Sequence, residues 1–393
     1  MAEREETLPS GKKPQPPTRT FMVPRRIISG VGSLQHLGPE AAGLGTHALL
    51  VTGCGALRAA GAEQKAIELL REAGLEVTQY TGVMPDPTVG QADEARDTAR
   101  SRGCDVVVGL GGGSALDVAK AAAGMMHHDA SVTVVQRGEE QGRPGAPFIA
   151  VPTTAGTGSE ITRNAVLTDP DRQAKVSARS EHWIAAAAIV DPALLLTLPP
   201  NLTAASGMDA FVHATESFFS VGATPVTEAL ALRSVHLLGA ALPVARANGR
   251  DLGARSDCAI GSLTAALAFA NSGLGAVHGF APAIGVLHNV SHGDACSIML
   301  PHVLRFNSDA VRDKLDQFGA AIGITARPAG DRVAAAVESM SLDLGMPQRL
   351  RDVGVTEEGL ERLADEAVGS SSLRYNPRKA SREDLLAMLR EAL

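Results

Sequence analysis

The sequence predicts an α/β N-terminal domain with a parallel sheet, plus an all-helical C-terminal domain. Three observations carry this. As far as residue 197, short apolar runs alternate with amphipathic segments, the pattern of strands joined by crossover helices. From residue 198, beginning with LPPNLTAASG, the spacing is helical almost to Leu393. With 393 residues, 45% of them hydrophobic and 20% charged, the chain is long enough for two cores. The domain boundary is therefore expected between residues 197 and 198.

The opening stretch, with four prolines and mixed charge, reads as a disordered tail over residues 1–19 and lacks the apolar core of a signal peptide. RTFMVPRRIISGVG suggests a short strand and turn, and HALLVTG (47–53) a stronger strand that ends on glycine. The helix AEQKAIELLREAG follows, stopped by Gly74. Next come the strand LEVTQYTGV, the turn MPDPT, the helix VGQADEARDTARSRG and the strand CDVVVGL, which runs directly into GGGSALDVAK.

That junction allows two readings. Consecutive glycines let the backbone approach a ligand closely, and Ser114 with Asp117 forms an S-x-x-D capping pair that would open a helix whose free N–H groups seat a pyrophosphate. The plainer reading is a tight structural turn, and the run is not a G-x-G-x-x-G fingerprint. A second glycine turn, TTAGTGSE (153–160), follows the strand PFIAVP. The hydroxyls of Thr153, Thr154 and Thr157 either bond a ribose or phosphate or cap their own loop. TRNAVLTDPDRQAKVS then reads as a hairpin, and AAAAIVDP as the last strand before the helical region.

In the helical part, GMDAFVHATESF places Asp209 and His213 four apart, on one helix face and close enough to grip one divalent ion. Such pairs also occur on solvated faces. Here the neighbours are Met208, Ala210, Phe211 and Val212, so no polar face accounts for the pair. Downstream, His278 sits in the apolar run GLGAVHGF, where an unpartnered imidazole is costly to bury, and His292 follows in SHG. Four such side chains suit a site that leaves room for a substrate oxygen.

A net charge of -7 with dispersed lysines and arginines gives no electrostatic case for nucleic acid. No segment reads as a membrane span. Cys54, Cys104, Cys258 and Cys296 are far apart and contain no CxxC pair, as expected of reduced cysteines in a cytoplasmic protein.

Taken jointly and in order, GGGSALDVAK, VMPDPT, PTTAGTGSE, GMDAFVHATESF, GLGAVHGFAPAIG with SHG, LPHVLRFN and the terminal NPR resemble the iron-dependent (group III) alcohol dehydrogenases, relatives of glycerol dehydrogenases and dehydroquinate synthases. The resemblance covers about residues 20 to 393. It implies a dinucleotide-binding α/β domain over 20–197, a helical metal and substrate domain over 198–393, and a cleft between them. Asp209, His213, His278 and His292 would be the metal ligands, for Fe(II) or alternatively Zn(II). Gly112, Gly113, Ser114 and Asp117 would hold the pyrophosphate of NADP(H) or NAD(H). Thr153, Thr154 and Thr157 would line the cofactor, with Asn164 and Lys175 near its nicotinamide half. The implied activity is an aldehyde reductase or alcohol dehydrogenase in which the metal polarises a carbonyl and the nicotinamide delivers hydride. A homodimer or larger homo-oligomer is expected, with a small aldehyde or alcohol as the only other partner.

Three departures from the family pattern sharpen the expectation. Many relatives carry a histidine four residues after the one matched by His278; here that position is Pro282, leaving His288, or Thr153 with a ribose hydroxyl and water, to relay the proton. Relatives that prefer NAD commonly end the first core strand on Asp; here Gly53 stands there, so nothing repels a 2'-phosphate and NADP(H) should be tolerated. Arg163, next to Asn164, either pairs with an anionic group on the substrate, as in a phosphonoacetaldehyde-like aldehyde, or makes a structural ion pair. The alternatives are a maleylacetate-reductase-like enzyme, disfavoured by the complete ligand set, and a dehydroquinate-synthase-like lyase, disfavoured by the sparse charge around His278 and His292.

Overall fold

The computed structural model describes residues 18–55, 61–172, 174–324 and 330–393. Most of the expected tail lies outside them. Six strands form one sheet: β1 (Arg26–Ser29), β2 (His47–Gly53), β3 (Glu76–Val83), β4 (Val106–Gly111), β5 (Phe148–Pro152) and β8 (Ala187–Val190). Their order is β1-β8-β5-β4-β2-β3, and every pairing is parallel. The central strands read VVVGLG, FIAVP and AAIV and are buried throughout, because helices cover both faces. The chain winds outward from β2 to β3, then crosses back to β4 and continues to β5. The order therefore reverses between β2 and β4, whose C-terminal ends are Gly53 and Gly111, and a crevice at such a reversal is where open sheets of this kind bind ligands. The remaining strands, β6 (Asn164–Asp169) and β7 (Ala174–Arg179), form the expected hairpin, with Asn164 opposite Arg179.

Helices α1 (Leu37–Ala42), α2 (Ala62–Glu72), α3 (Val89–Arg102), α4 (Gly113–Gly124) and the short α5 (Thr133–Gln136) flank the sheet. Helix α3 shows why local chemistry set its limits. The Thr88 hydroxyl accepts from Gln91 N at its start, and Gly103 closes it in the left-handed conformation.

From Pro200 onward, the described residues contain no strand. Helices α6 (Pro200–Phe219), α7 (Pro225–Ala247) and α8 (Leu252–Ser272) pack on one another. Their close approach needs small residues: a Cβ on Gly207 would lie 2.3 Å from Leu242, and one on Gly261 would lie 2.7 Å from Leu238. Then come α9 (Val277–His288), α10 (His292–Asn307), α11 (Arg312–Ala321), α12 (Gly330–Asp343), α13 (Leu360–Val368) and α14 (Arg382–Ala392). Contrary to the sequence expectation, one helix among the described residues, α7, is long and apolar enough to cross a membrane. Val235, Leu238 and Leu242 on it are fully buried in the protein core, which accounts for its apolarity.

Two of the quoted motifs meet in space. Asn307 and Asn376 exchange side-chain amide hydrogen bonds at 2.8 and 3.0 Å, and Asn376 Oδ1 accepts from Ala276 N. The C-terminal NPR thus fixes the turn that enters α9, the helix bearing His278.

Candidate active site

Helix α6 is buried almost all round, so its polar residues need internal partners. Asp209 and His213 are each only 4% exposed. Helix α9 brings His278 to them from its first turn, and His292 is the first residue of α10. Asp209 Oδ1 lies 3.5 Å from His278 Nε2, 3.5 Å from His292 Nε2 and 3.7 Å from His213 Nε2. The structure thus brings the four expected residues together. It adds a fifth, Cys296, with Sγ 3.8 Å from Asp209 Oδ1 and 3.9 Å from His278 Nε2. Donor atoms of Asp209, His278, His292 and Cys296 all lie within 4.8 Å of one another. The His213 ring stacks between Phe269 and His278, at 4.2 and 4.5 Å.

The set fits a divalent transition ion. Two donors on bonds of about 2.0–2.3 Å lie roughly 3.3–3.8 Å apart across a tetrahedral angle, close to the separations seen here. Among the described residues Asp209 meets no cation other than these histidines and takes no backbone N–H. A buried carboxylate in that position is costly unless a cation joins it. Burial opposes its charge, yet His213, His292 and His278 hold it well below the carboxylate range. Burial, the dominant effect, drives His213 down to about 3, which keeps its ring neutral with a lone pair free. On the far side of His278, Nδ1 lies 2.7 Å from Glu216 Oε2, and Glu216 Oε1 accepts from Val277 N at 2.7 Å. Since a carboxylate only accepts, Nδ1 carries a proton; burial opposes charge on the ring, but Cys296, Asp209 and Glu216 raise its pKa, so Nε2 would offer its lone pair to the cluster once an ion displaces the proton held there.

The two glycine turns lie against each other at the C-terminal ends of β4 and β5. A Cβ on Gly113 would come within 2.7 Å of Thr157, and one on Gly112 within 3.3 Å of Thr154. The N-cap of α4 is Gly112, with no side-chain cap, so the first-turn N–H groups of Gly113 and Ser114 are open to an anionic ligand. This corrects the expected Ser114–Asp117 capping pair. Asp117 is buried and accepts instead from Ser159 Oγ at 2.5 Å and Val166 N at 3.0 Å, so it braces the turns from beneath and does not face a pyrophosphate. Beside it the fully buried Lys120 donates to Ser159 O and Asn164 O, both at 2.6 Å, tying the second turn and β6 to α4. Thr157 in part caps its own loop, accepting from Ser159 N at 3.4 Å. Thr153 N donates to Gly111 O at 2.9 Å, which joins the two turns directly. Lys175 pairs with Asp86 in the MPDPT turn. Gly53 ends β2 with no carboxylate at its position.

Two expected side chains turn elsewhere. His288, at the last turn of α9, lies against Gly359, where an added Cβ would stand 3.2 Å from its ring. Burial and the nearby Arg362 depress its pKa. It is therefore not placed as a proton relay. Arg163 pairs with Glu181 at 3.2 Å, their side chains 41% and 70% exposed, as in the structural ion-pair reading. The reading of the sequence missed Glu216, Cys296 and Lys120. Two of these were signalled by spacing: Glu216 is three residues after His213, and Cys296 four after His292, each on the ligand face of its helix.

Residues 24–192 match the family model described as iron-containing alcohol dehydrogenase, and residues 203–393 match that of the Fe-containing alcohol dehydrogenase family, C-terminal. The chain is 34% identical over 378 residues to an NAD-dependent methanol dehydrogenase of Bacillus methanolicus, covering 95% of this chain and 99% of that one. The crystal structure of a 1,3-propanediol oxidoreductase superposes with a TM-score of 0.92 at 36% identity, covering 96% of this chain and all of the other. A sulfoacetaldehyde reductase from Bifidobacterium kashiwanohense in complex with NAD+ gives 0.89 at 30% identity, covering 96% and 99%. The parallel sheet with its helical partner, the Asp and His cluster and these likenesses agree, and the chain belongs to the iron-containing alcohol dehydrogenase family.

Proposed function

We propose that this chain is a metal-dependent NAD(P)H oxidoreductase interconverting a short aldehyde or ketone and its alcohol. One contact carries the reading. His213 Nδ1 lies 3.3 Å from Gly156 O, so the turn that abuts Gly112 and Gly113 on one side touches the metal-type cluster on the other. The cluster and the cofactor turns are thereby parts of one site.

A divalent ion there supplies Lewis-acid polarisation of a carbonyl and the nicotinamide supplies hydride. The chain's own part is to position and to exclude water. Asp209, His213, His278 and His292 would hold the ion. Glu216 fixes the His278 tautomer, and Phe269 packs over His213. His292, whose side chain is 35% exposed, stands on the open side of the cluster. With Pro282 at the relay position and His288 turned to Gly359, we assign the chain's part in proton transfer to the Thr153 hydroxyl, with water. The free cysteines fit a reducing, cytoplasmic setting. Fe(II) and Zn(II) both suit the donor set, and NADP(H) should serve beside NAD(H) because Gly53 carries no charge.

An anionic substrate is favoured by a second observation. Arg179 and Arg374 have no carboxylate partner among the described residues, and Arg179 feels repulsion from both Arg374 and Arg163. Arg374 lies between Leu373, which packs on Gly279 beside His278, and Tyr375, whose ring covers Gly273. Strand β7, which ends on Arg179, packs against α9. The related sulfoacetaldehyde reductase takes its name from an anionic aldehyde.

The test is anaerobic reconstitution of metal-free protein with Fe(II) or Zn(II), followed by NADPH and NADH oxidation with neutral and anionic aldehydes. Turnover should need metal and fall at least about a hundredfold in His278→Ala. Metal-independent turnover would shift the reading to a maleylacetate-reductase-like enzyme. No turnover on a broad carbonyl panel would remove it.

A further inference from the structure

We propose that Cys296 is itself a ligand of this centre, its thiolate sulfur joining Asp209, His278 and His292 around the ion. The inference rests on the metal-dependent reading above and specifies the donor set. A sulfur donor would bias the site toward Zn(II) or Fe(II) and against harder ions such as Mn(II) and Mg(II).

The placement argues for it. Cys296 stands one helical turn after His292 on α10, so both side chains project from one face. The residue is fully buried, yet its sulfur faces a carboxylate and imidazole nitrogens. A cysteine serving only as a small core residue packs against apolar groups. The separations of 3.8 Å to Asp209 and 3.9 Å to His278 are long for hydrogen bonds. Bonds of about 2.3 Å to sulfur and about 2.1 Å to nitrogen or oxygen put two ligands about 3.6 Å apart across a tetrahedral angle, so a small closing of the cluster on an ion would bring the sulfur into its shell. Of the other cysteines, Cys54 is exposed and donates to Val83 O, and Cys104 packs in the core beneath the sheet; Cys258 shares the helical core with Cys296, but among the described residues Cys296 is the cysteine whose sulfur joins Asp209, His278 and His292. His213 Nε2 reaches the same Asp209 Oδ1 at 3.7 Å, so Cys296 adds a sulfur to the Asp and His set and displaces none of it.

On ligation the Sγ–H bond breaks, its proton leaves to solvent, and the sulfur lone pair forms the bond to the ion. No electron is transferred and the ion stays divalent.

The experiment uses the full-length, metal-free protein titrated anaerobically with Co(II), whose absorption separates donor types. Wild-type protein should develop visible d–d bands together with a near-ultraviolet sulfur-to-cobalt charge-transfer band. Cys296→Ser and Cys296→Ala should keep the d–d bands and lose the charge-transfer band, while Cys54→Ser keeps both. In chelator competition, Zn(II) affinity should fall about tenfold or more in Cys296→Ala, and Mn(II) affinity far less. Cobalt bound by wild-type protein without the charge-transfer band, or a band that survives both Cys296 variants, would overturn the proposal and leave the metal centre standing. Failure of wild-type protein to bind Co(II), Zn(II) or Fe(II) would overturn both. If Cys296→Ala loses its native circular dichroism, the wild-type spectrum and Cys296→Ser decide.

Discussion

Glu216 Oε2 lies 2.7 Å from His278 Nδ1, and its other oxygen holds Val277 N, so one buried carboxylate orients both the ring and the backbone that carries it. The arrangement matches a carboxylate–histidine–metal relay, in which the outer carboxylate raises ligand basicity and fixes ring orientation. Glu216→Gln keeps the shape and removes the charge. Metal affinity measured by chelator competition should fall about 10–100-fold. An unchanged affinity would reduce Glu216 to a packing residue.

The brace beneath the glycine turns should make stability depend on pH. Glu160 is buried beside Lys120 and Asp117, and burial pushes its carboxyl up to about 7 from an ordinary 4.5. A folded-state pKa raised in this way contributes stability that is complete below about pH 4.5 and lost as pH rises through about 7. Lys120 acts in a separate window. Burial drives it down to about 8 from 10.5, so its contribution is present above 10.5 and lost as pH falls through about 8. Thermal melts should therefore show wild-type protein losing stability, relative to Glu160→Gln, between about pH 4.5 and 7. Parallel melting curves across that window would contradict the assignment.

Most of the fold was legible because its signals are local. Apolar strands ending on glycine, Thr88 before α3 and Gly103 after it lie within a few residues of what they determine. The ligand cluster was legible because Asp209 and His213 share a helix face amid apolar neighbours that leave no other explanation. Partner choice across long sequence distance was not. The Ser114–Asp117 pair looked like a cap, but Ser159 and Val166, both more than forty residues away, compete for the same carboxylate. The rotation of α9 that turns His288 to Gly359 depends on α13 and the turn before it, which no pattern near His288 encodes. Arg163 could reach a substrate or Glu181, and only the fold of the segment after β7 brings Glu181 within 3.2 Å.

The proposed tolerance of NADP(H) rests on Gly53. Its backbone is not left-handed, and an added Cβ would meet only Val83 O at 3.6 Å, an ordinary contact. Gly53→Asp should therefore fold normally. The new carboxylate would repel a 2'-phosphate and accept from a ribose hydroxyl. The ratio of kcat/KM for NADPH to that for NADH should drop about tenfold or more, equivalent to about 1.4 kcal/mol. An unchanged ratio would mean that the ribose end lies away from β2.

On the anionic-substrate reading, the arginines without a carboxylate partner among the described residues would bind the substrate's charge. Arg163 already has Glu181, and the exposed pair is worth about 0–1 kcal/mol, so Arg163→Ala should leave the melting temperature almost unchanged. Among the described residues Arg179 donates only to Ser177 Oγ at 3.2 Å, and Arg374 lies over the Tyr375 ring at 4.8 Å, so both guanidinium groups keep donors for an incoming anion. A hydrogen bond to a charged group contributes about 1.5–3 kcal/mol. Arg179→Ala and Arg374→Ala should each raise KM for an anionic aldehyde by about 10–100-fold, with little change for a neutral aldehyde of equal length. Arg163→Ala should show a much smaller difference between the two substrates. Equal losses on both aldehydes in all three variants would assign the arginines to structure and return the substrate to the neutral short-chain class.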